Sequence, residues 1–96
     1  MDNPPPLLPD SRYVPSPDIT VRVLDGEAVL LNVQTGAYFG LNKVGTHIWQ
    51  LYSEGKSTAE VVDGVCLRFA VTLERAEADV RAFTERLVER GLLATR

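Results

Sequence analysis

The sequence predicts an α+β domain in which a three-stranded antiparallel meander precedes three helices. Three observations lead there. An Asp-Gly pair joins the two alternating runs of "ITVRVLDGEAVLLNV", and that pair suits a hairpin turn needing positive φ. A second turn, "QTG", sends the chain into the short apolar run "AYFGL". Beyond residue 42 the apolar spacing lengthens to three or four residues in three successive segments, each preceded by a residue able to cap a helix.

Residues 1–17 hold all six prolines, which forbids regular helix and predicts a flexible, extended, solvated arm ahead of a domain over 18–96. The meander covers roughly 20–41. Alternation predicts that Val21 and Val23 share an apolar face with Val29, Leu31 and Val33 of the second strand and with Phe39 and Leu41 of the third. Asn42 can cap the first helix, whose stripe is Val44, Ile48, Leu51 and Tyr52, and Gly55 supplies its stop. Ser57 and Glu60 form a capping box before the stripe Val61, Val65, Cys66 and Phe69. Thr72 opens the third helix, with Ala76, Val80, Phe83 and Leu87 on one face and Glu77, Arg81 and Glu85 at i,i+4 spacing on another; Gly91 ends it. Three strands cannot bury an apolar face alone, so the helices must cover it.

Composition narrows the function. A chain of 96 residues, 45% hydrophobic and 24% charged, is one small module of ordinary globular make-up. Its longest apolar run, "AVLL", is far too short to span a bilayer. The start "MDNPPPLLPD" lacks the basic flank and apolar stretch of a signal peptide, so a cytoplasmic location is expected. A net charge of −3 opposes binding to a phosphate backbone.

No catalytic or metal constellation stands out. Cys66 is the single cysteine, so an internal disulfide is impossible and a metal would have to draw on His47 and carboxylates. His47 lies at the edge of the first helical stripe and reads as a structural histidine, and Cys66 on its apolar stripe reads as a small hydrophobe. Glu74, Glu77, Asp79, Glu85 and Glu89 alternate with Arg75, Arg81, Arg86 and Arg90, the pattern of a solvated helix face. Gly36, Gly40 and Gly45 do not have phosphate-loop spacing. The expectation is a protein without enzymatic activity, cofactor or metal.

What remains is the edge of the third strand. The middle strand of a meander pairs on both sides, which leaves one row of N–H and C=O groups on "AYFGL" unpaired. Those five residues contain neither charge nor proline, the usual blunting devices. Gly40 can mark a bulge or a close backbone approach, and a helix or the N-terminal arm could instead cover the edge.

The run "LLN..TG.Y.GLN..G..IW", supported by "ADV..F...L" and the late "GLL", resembles the PqqD family of peptide chaperones, over residues 18–93. Such domains are recognition elements for the leader peptides of ribosomally synthesised, modified peptides. The resemblance implies a winged-helix-like fold without catalytic activity. It also implies that a precursor's leader adds as a further antiparallel strand beside the third strand, in the groove next to the third helix, the mode called β-augmentation. Carried onto this chain, the docking strand is Ala37, Tyr38, Phe39, Gly40 and Leu41, and the helix wall is Val80, Phe83, Thr84 and Leu87. Some relatives are fused to a modifying enzyme, whereas this chain ends at Arg96 and is expected to act in trans. Implied partners are the precursor leader and a cysteine-protease-like leader peptidase of a lasso-peptide pathway. A radical-SAM peptide-modifying enzyme is the alternative.

Two other function classes use the same elements. A DNA-binding winged helix has strands and three helices too, but "QTGA" lacks the basic residues of a phosphate-contacting wing. An acyl or protein-interaction adaptor could use the same apolar edge for a folded partner.

Overall fold

A two-residue turn sets the register of the sheet. In the computed structural model, which describes residues 9–95, Asp25 and Gly26 both have positive φ, 53° and 79°, as a type I′ hairpin requires. The elements in order are β1 (Tyr13–Pro15), β2 (Ile19–Leu24), β3 (Glu27–Asn32), β4 (Tyr38–Gly40), α1 (Lys43–Ser53), α2 (Thr58–Phe69), α3 (Leu73–Glu89) and β5 (Leu93–Thr95). The antiparallel sheet β2-β3-β4 matches the expected α+β meander followed by three helices. A second, two-stranded sheet pairs β1 with β5.

The register corrects the expected apolar face. The tight turn pairs Leu24 with Glu27, so Val23 opposes Ala28 and Val21 opposes Leu30; Leu30 in turn opposes Phe39. Residues paired across a ladder share a face. A two-residue turn therefore pairs odd positions of β2 with even positions of β3, and Val29, Leu31 and Val33 do not join Val21 and Val23. The face turned to the helices carries fully buried Ala28 and Leu30. Val21 and Val23 lie at its open margin and stay exposed. Leu41, just past β4, is buried and still donates its N–H to the Ala28 carbonyl, 2.8 Å away.

Each helix starts on its expected cap. The Asn42 side chain accepts from the Gly45 N–H at 2.8 Å, and Thr72 accepts from Arg75 N–H at 3.2 Å. Ser57 and Glu60 exchange the reciprocal bonds of a capping box. The core is then built from Leu30, Ile48, Tyr52, Val61, Val65, Val80 and Leu87. Each such side chain stabilises the fold by roughly 1.5–3 kcal/mol relative to exposure.

The expected N-terminal arm spans residues both outside and inside the described part of the chain. Residues 1–8 lie outside the described residues, but from Pro9 on the chain is laced to the domain. The first N–H groups of a helix have no intrahelical partner; those of Thr58 and Ala59 find the carbonyls of Ser11 and Pro9, both at 2.9 Å. Tyr13 is buried edge-on against Tyr52, with ring centroids 5.4 Å apart. Ser16 closes the strand pair, donating its N–H to Leu92 O at 3.0 Å and its hydroxyl to Gly91 O at 2.7 Å. Proline excludes helix but leaves every carbonyl available, and the domain uses them.

Candidate functional site

The free edge of β4 has a definite orientation. Asn32 N–H donates to Ala37 O at 3.0 Å and Leu41 N–H donates to Ala28 O at 2.8 Å, so Ala37, Phe39 and Leu41 turn their backbone polar groups toward β3. By antiparallel alternation, those of Tyr38 and Gly40 point away from the sheet. Nothing among the described residues forms a strand on that side, because β1 pairs with β5 instead.

Side chains alternate the other way. Phe39 faces the helices, half-buried, with the Arg90 guanidinium 5.2 Å from its ring centroid. Tyr38 stands on the outer face and is 76% exposed.

The candidate groove beside β4 and α3 consists of two open hollows that share no lining residue. One hollow, about 280 Å³, lies among Val44, Gly45, Ala82, Phe83 and Arg86, with the Arg75 and Asp79 pair at its margin. The other, about 260 Å³, lies among Thr35, Ala37, Tyr38, Phe39, Arg90 and Leu92. The ring of Phe83 packs so closely on the backbone of Gly45 that a Cβ there would stand 2.8 Å from its Cε1. Glycine in α1 is what lets α3 present that ring at the groove wall.

Of the residues expected to line the site, Ala37, Tyr38 and Phe39 line the second hollow, Phe83 lines the first, and Gly40 lies on the free β4 edge. The structure places the others in the core. Leu41 is buried, and Val80, Thr84 and Leu87 have no exposed surface at all. Thr84 is tied inward by its hydroxyl, 2.9 Å from that of Tyr52. Side chains so enclosed by the helices and sheet do not border either hollow described above. The α3 residues that do border the first hollow form the neighbouring stripe, Asp79, Ala82, Phe83 and Arg86, and Arg90 borders the second.

That stripe was missed because the charges of α3 read as evenly mixed. In space they are sorted. Arg75, Arg86 and Arg90 reach the groove against the single acid Asp79, whereas Glu77 and Arg81 line a different depression between α2 and α3. Arg75 and Asp79 neutralise each other at 3.2 Å. Plotting charge around the 3.6-residue period, rather than along the chain, would have exposed this asymmetry.

The remaining candidates have structural surroundings. His47 is half-buried, edge-on to Phe69 with ring centroids 5.8 Å apart, and Cys66 is half-buried beside the core. Among the described residues no three His, Cys, Asp or Glu side chains cluster as metal ligands. No described helix is long and apolar enough to cross a membrane.

Comparison with known proteins converges on one family. The family model described as "Coenzyme PQQ synthesis protein D (PqqD)" matches residues 27–93. No functionally curated protein matches the sequence. Among solved structures, one described as "TbiB1 in Complex with the TbiA(beta) Leader Peptide" is 41% identical, covering 83% of this chain and 93% of its own, with a TM-score of 0.78. Another, "Lasso peptide synthetase B1 complexed with the leader peptide", is 30% identical, covering 86% of this chain and 98% of its own, with a TM-score of 0.79.

Proposed function

The chain belongs to the PqqD family, and from that premise we propose that it binds the leader segment of a ribosomally synthesised precursor peptide and hands it to maturation enzymes of lasso-peptide biosynthesis. Both solved relatives named above are complexes with leader peptides, and one is a lasso peptide synthetase B1. The observation that carries the reading to a site is the β4 edge. The outward backbone groups of Tyr38 and Gly40 lie open at the sheet edge, with Phe39 lining the hollow beside them and Phe83 the hollow between α1 and α3.

In this reading the leader extends the sheet as a fourth antiparallel strand. Main-chain bonds to Tyr38 and Gly40 supply affinity, and every second leader side chain enters the groove to supply specificity. The protein performs no chemistry itself. Its partner is a leader peptidase of the cysteine-protease type, which receives a leader already held extended.

The test is titration of the purified protein with the leader of the precursor encoded beside its gene, by calorimetry or fluorescence anisotropy. Two or three buried anchors, less the cost of ordering a disordered peptide, correspond to about micromolar affinity or better. An absence of binding at about 100 μM overturns the assignment.

A further inference from the structure

The groove wall carries positive charge that the protein does not neutralise. Among the described residues, Arg75 is paired with Asp79, whereas neither Arg86 nor Arg90 forms an ion pair. Arg90 instead lies over the face of Phe39, the residue that floors the groove. This concentration of charge runs against a net charge of −3 for the whole chain, so it marks the groove off from the rest of the surface. Guanidinium groups at a groove that receives backbone and apolar side chains are suited to carboxylates, which they bind through paired N–H donors.

Resting on the leader-binding reading above, we propose that Arg86 and Arg90 select the leader by charge: its groove-facing side carries an apolar anchor in the hollow beside Phe83 and, two residues away, a carboxylate held by the two arginines. The spacing follows from the two element geometries. A point midway between Arg86 and Arg90 lies about five residues, roughly 7.5 Å of helical rise, beyond Phe83. Two residues of an extended strand cover about 6.5–7 Å and return the side chain to the same face. A carboxylate there meets both guanidinium groups beside the low-dielectric surface of Phe39, where charge-assisted bonds are stronger than in open water. An amide of the same shape leaves the arginines unneutralised.

The experiment uses the synthetic leader of the precursor encoded beside the gene, together with versions in which each Asp or Glu is changed singly to its amide. Each is titrated onto the wild-type protein, Arg90→Gln, Arg90→Lys and the double variant Arg86→Gln/Arg90→Gln, with folding checked by circular dichroism. One amide substitution is expected to weaken wild-type binding by about tenfold or more, in line with a charged pair at an interface. That same substitution is expected to change nothing further in the double variant, and Arg90→Lys is expected to fall between Arg90→Gln and wild type. Leader binding that ignores every amide substitution, or losses equal in wild type and the double variant, overturns the charge selection and leaves leader binding intact. No leader binding by the wild-type protein overturns both.

Discussion

The Tyr52 hydroxyl lies 2.9 Å from Thr84 Oγ1 and 3.3 Å from Thr58 Oγ1, within a site closed to solvent. One phenol thus joins α1 to both other helices, and Thr58 in turn donates to the Ser11 carbonyl at 3.1 Å. A buried polar group without a partner costs free energy, so this relay fixes how α3 is rotated against the core. That rotation decides which stripe of α3 meets the groove.

Thr84→Val keeps the shape of the side chain and removes the hydroxyl. It is expected to lower stability by about 1 kcal/mol, a fall in melting temperature of about 4–8 °C for a domain of this size. Leader affinity should stay within about twofold, because Thr84 does not border the groove. Thr84→Arg should not fold, since it buries an unpaired charge. A Thr84→Val protein of normal stability but much weaker leader binding would return Thr84 to the binding surface.

The same enclosure predicts behaviour at high pH. Burial, the largest cause, raises the Tyr52 pKa above its ordinary value of 10.0, although its bonds to Thr58 and Thr84 pull the other way. Tyr13, edge-on to it, is also raised, first by burial and then by the neighbouring Tyr52. Between the unfolded and folded pKa values the folded protein holds more protons, so stability falls as pH rises. The contribution of each phenol is complete below about pH 10 and is lost as pH climbs through its raised folded value. Urea midpoints measured from neutral to strongly alkaline pH should decline only above that point, and Tyr52→Phe should flatten the decline. A wild-type profile already falling at neutral pH, or one unchanged by Tyr52→Phe, would contradict this.

At the sheet edge, proline is the sharpest probe. Tyr38 and Gly40 direct their N–H groups the same way, outward, so Tyr38→Pro and Gly40→Pro should each remove a donor to the leader without breaking a β3 bond. Both should weaken binding by about tenfold. Gly40→Ala should be silent, as a Cβ there meets nothing within 4 Å. Full affinity in both proline variants, with folding intact, would exclude strand addition at β4.

How far the sequence disclosed this structure varies with the kind of signal. Turns and caps are local chemistry: Asp25-Gly26, Asn42, Ser57 with Glu60, and Thr72 all act where their residue types predict. The tilt of the pattern is not local. Whether Val29 or Leu30 faces the core depends on the residue count in one turn, and both are apolar, so composition cannot choose between them. Val80, Thr84 and Leu87 illustrate the same limit on α3, where the core stripe and the groove stripe lie side by side and only the packing of Tyr52 separates them. The contacts holding residues 9–16 to α2 and β5 pair positions as far apart as Tyr13 and Thr95 through backbone atoms, which leave no trace in side-chain identity.

Gly45 offers a way to alter the groove from behind. A methyl group at that position would stand 2.8 Å from Cε1 and 3.3 Å from Cδ1 of Phe83, closer than van der Waals contact allows, so the ring must move. It has somewhere to go, because Phe83 is only half-buried and borders the open hollow. Within the helix, Gly45→Ala gains about 1 kcal/mol of intrinsic propensity, which offsets the cost of displacing one ring. Stability should therefore change little, while the hollow that receives the apolar anchor is partly filled and leader affinity falls by about tenfold or more. Restoring space with Phe83→Leu in the Gly45→Ala background should recover part of that affinity. Thermal melts and leader titrations of the two variants decide it: a folded Gly45→Ala protein that binds the leader as tightly as wild type would mean the anchor does not enter the hollow beside Phe83.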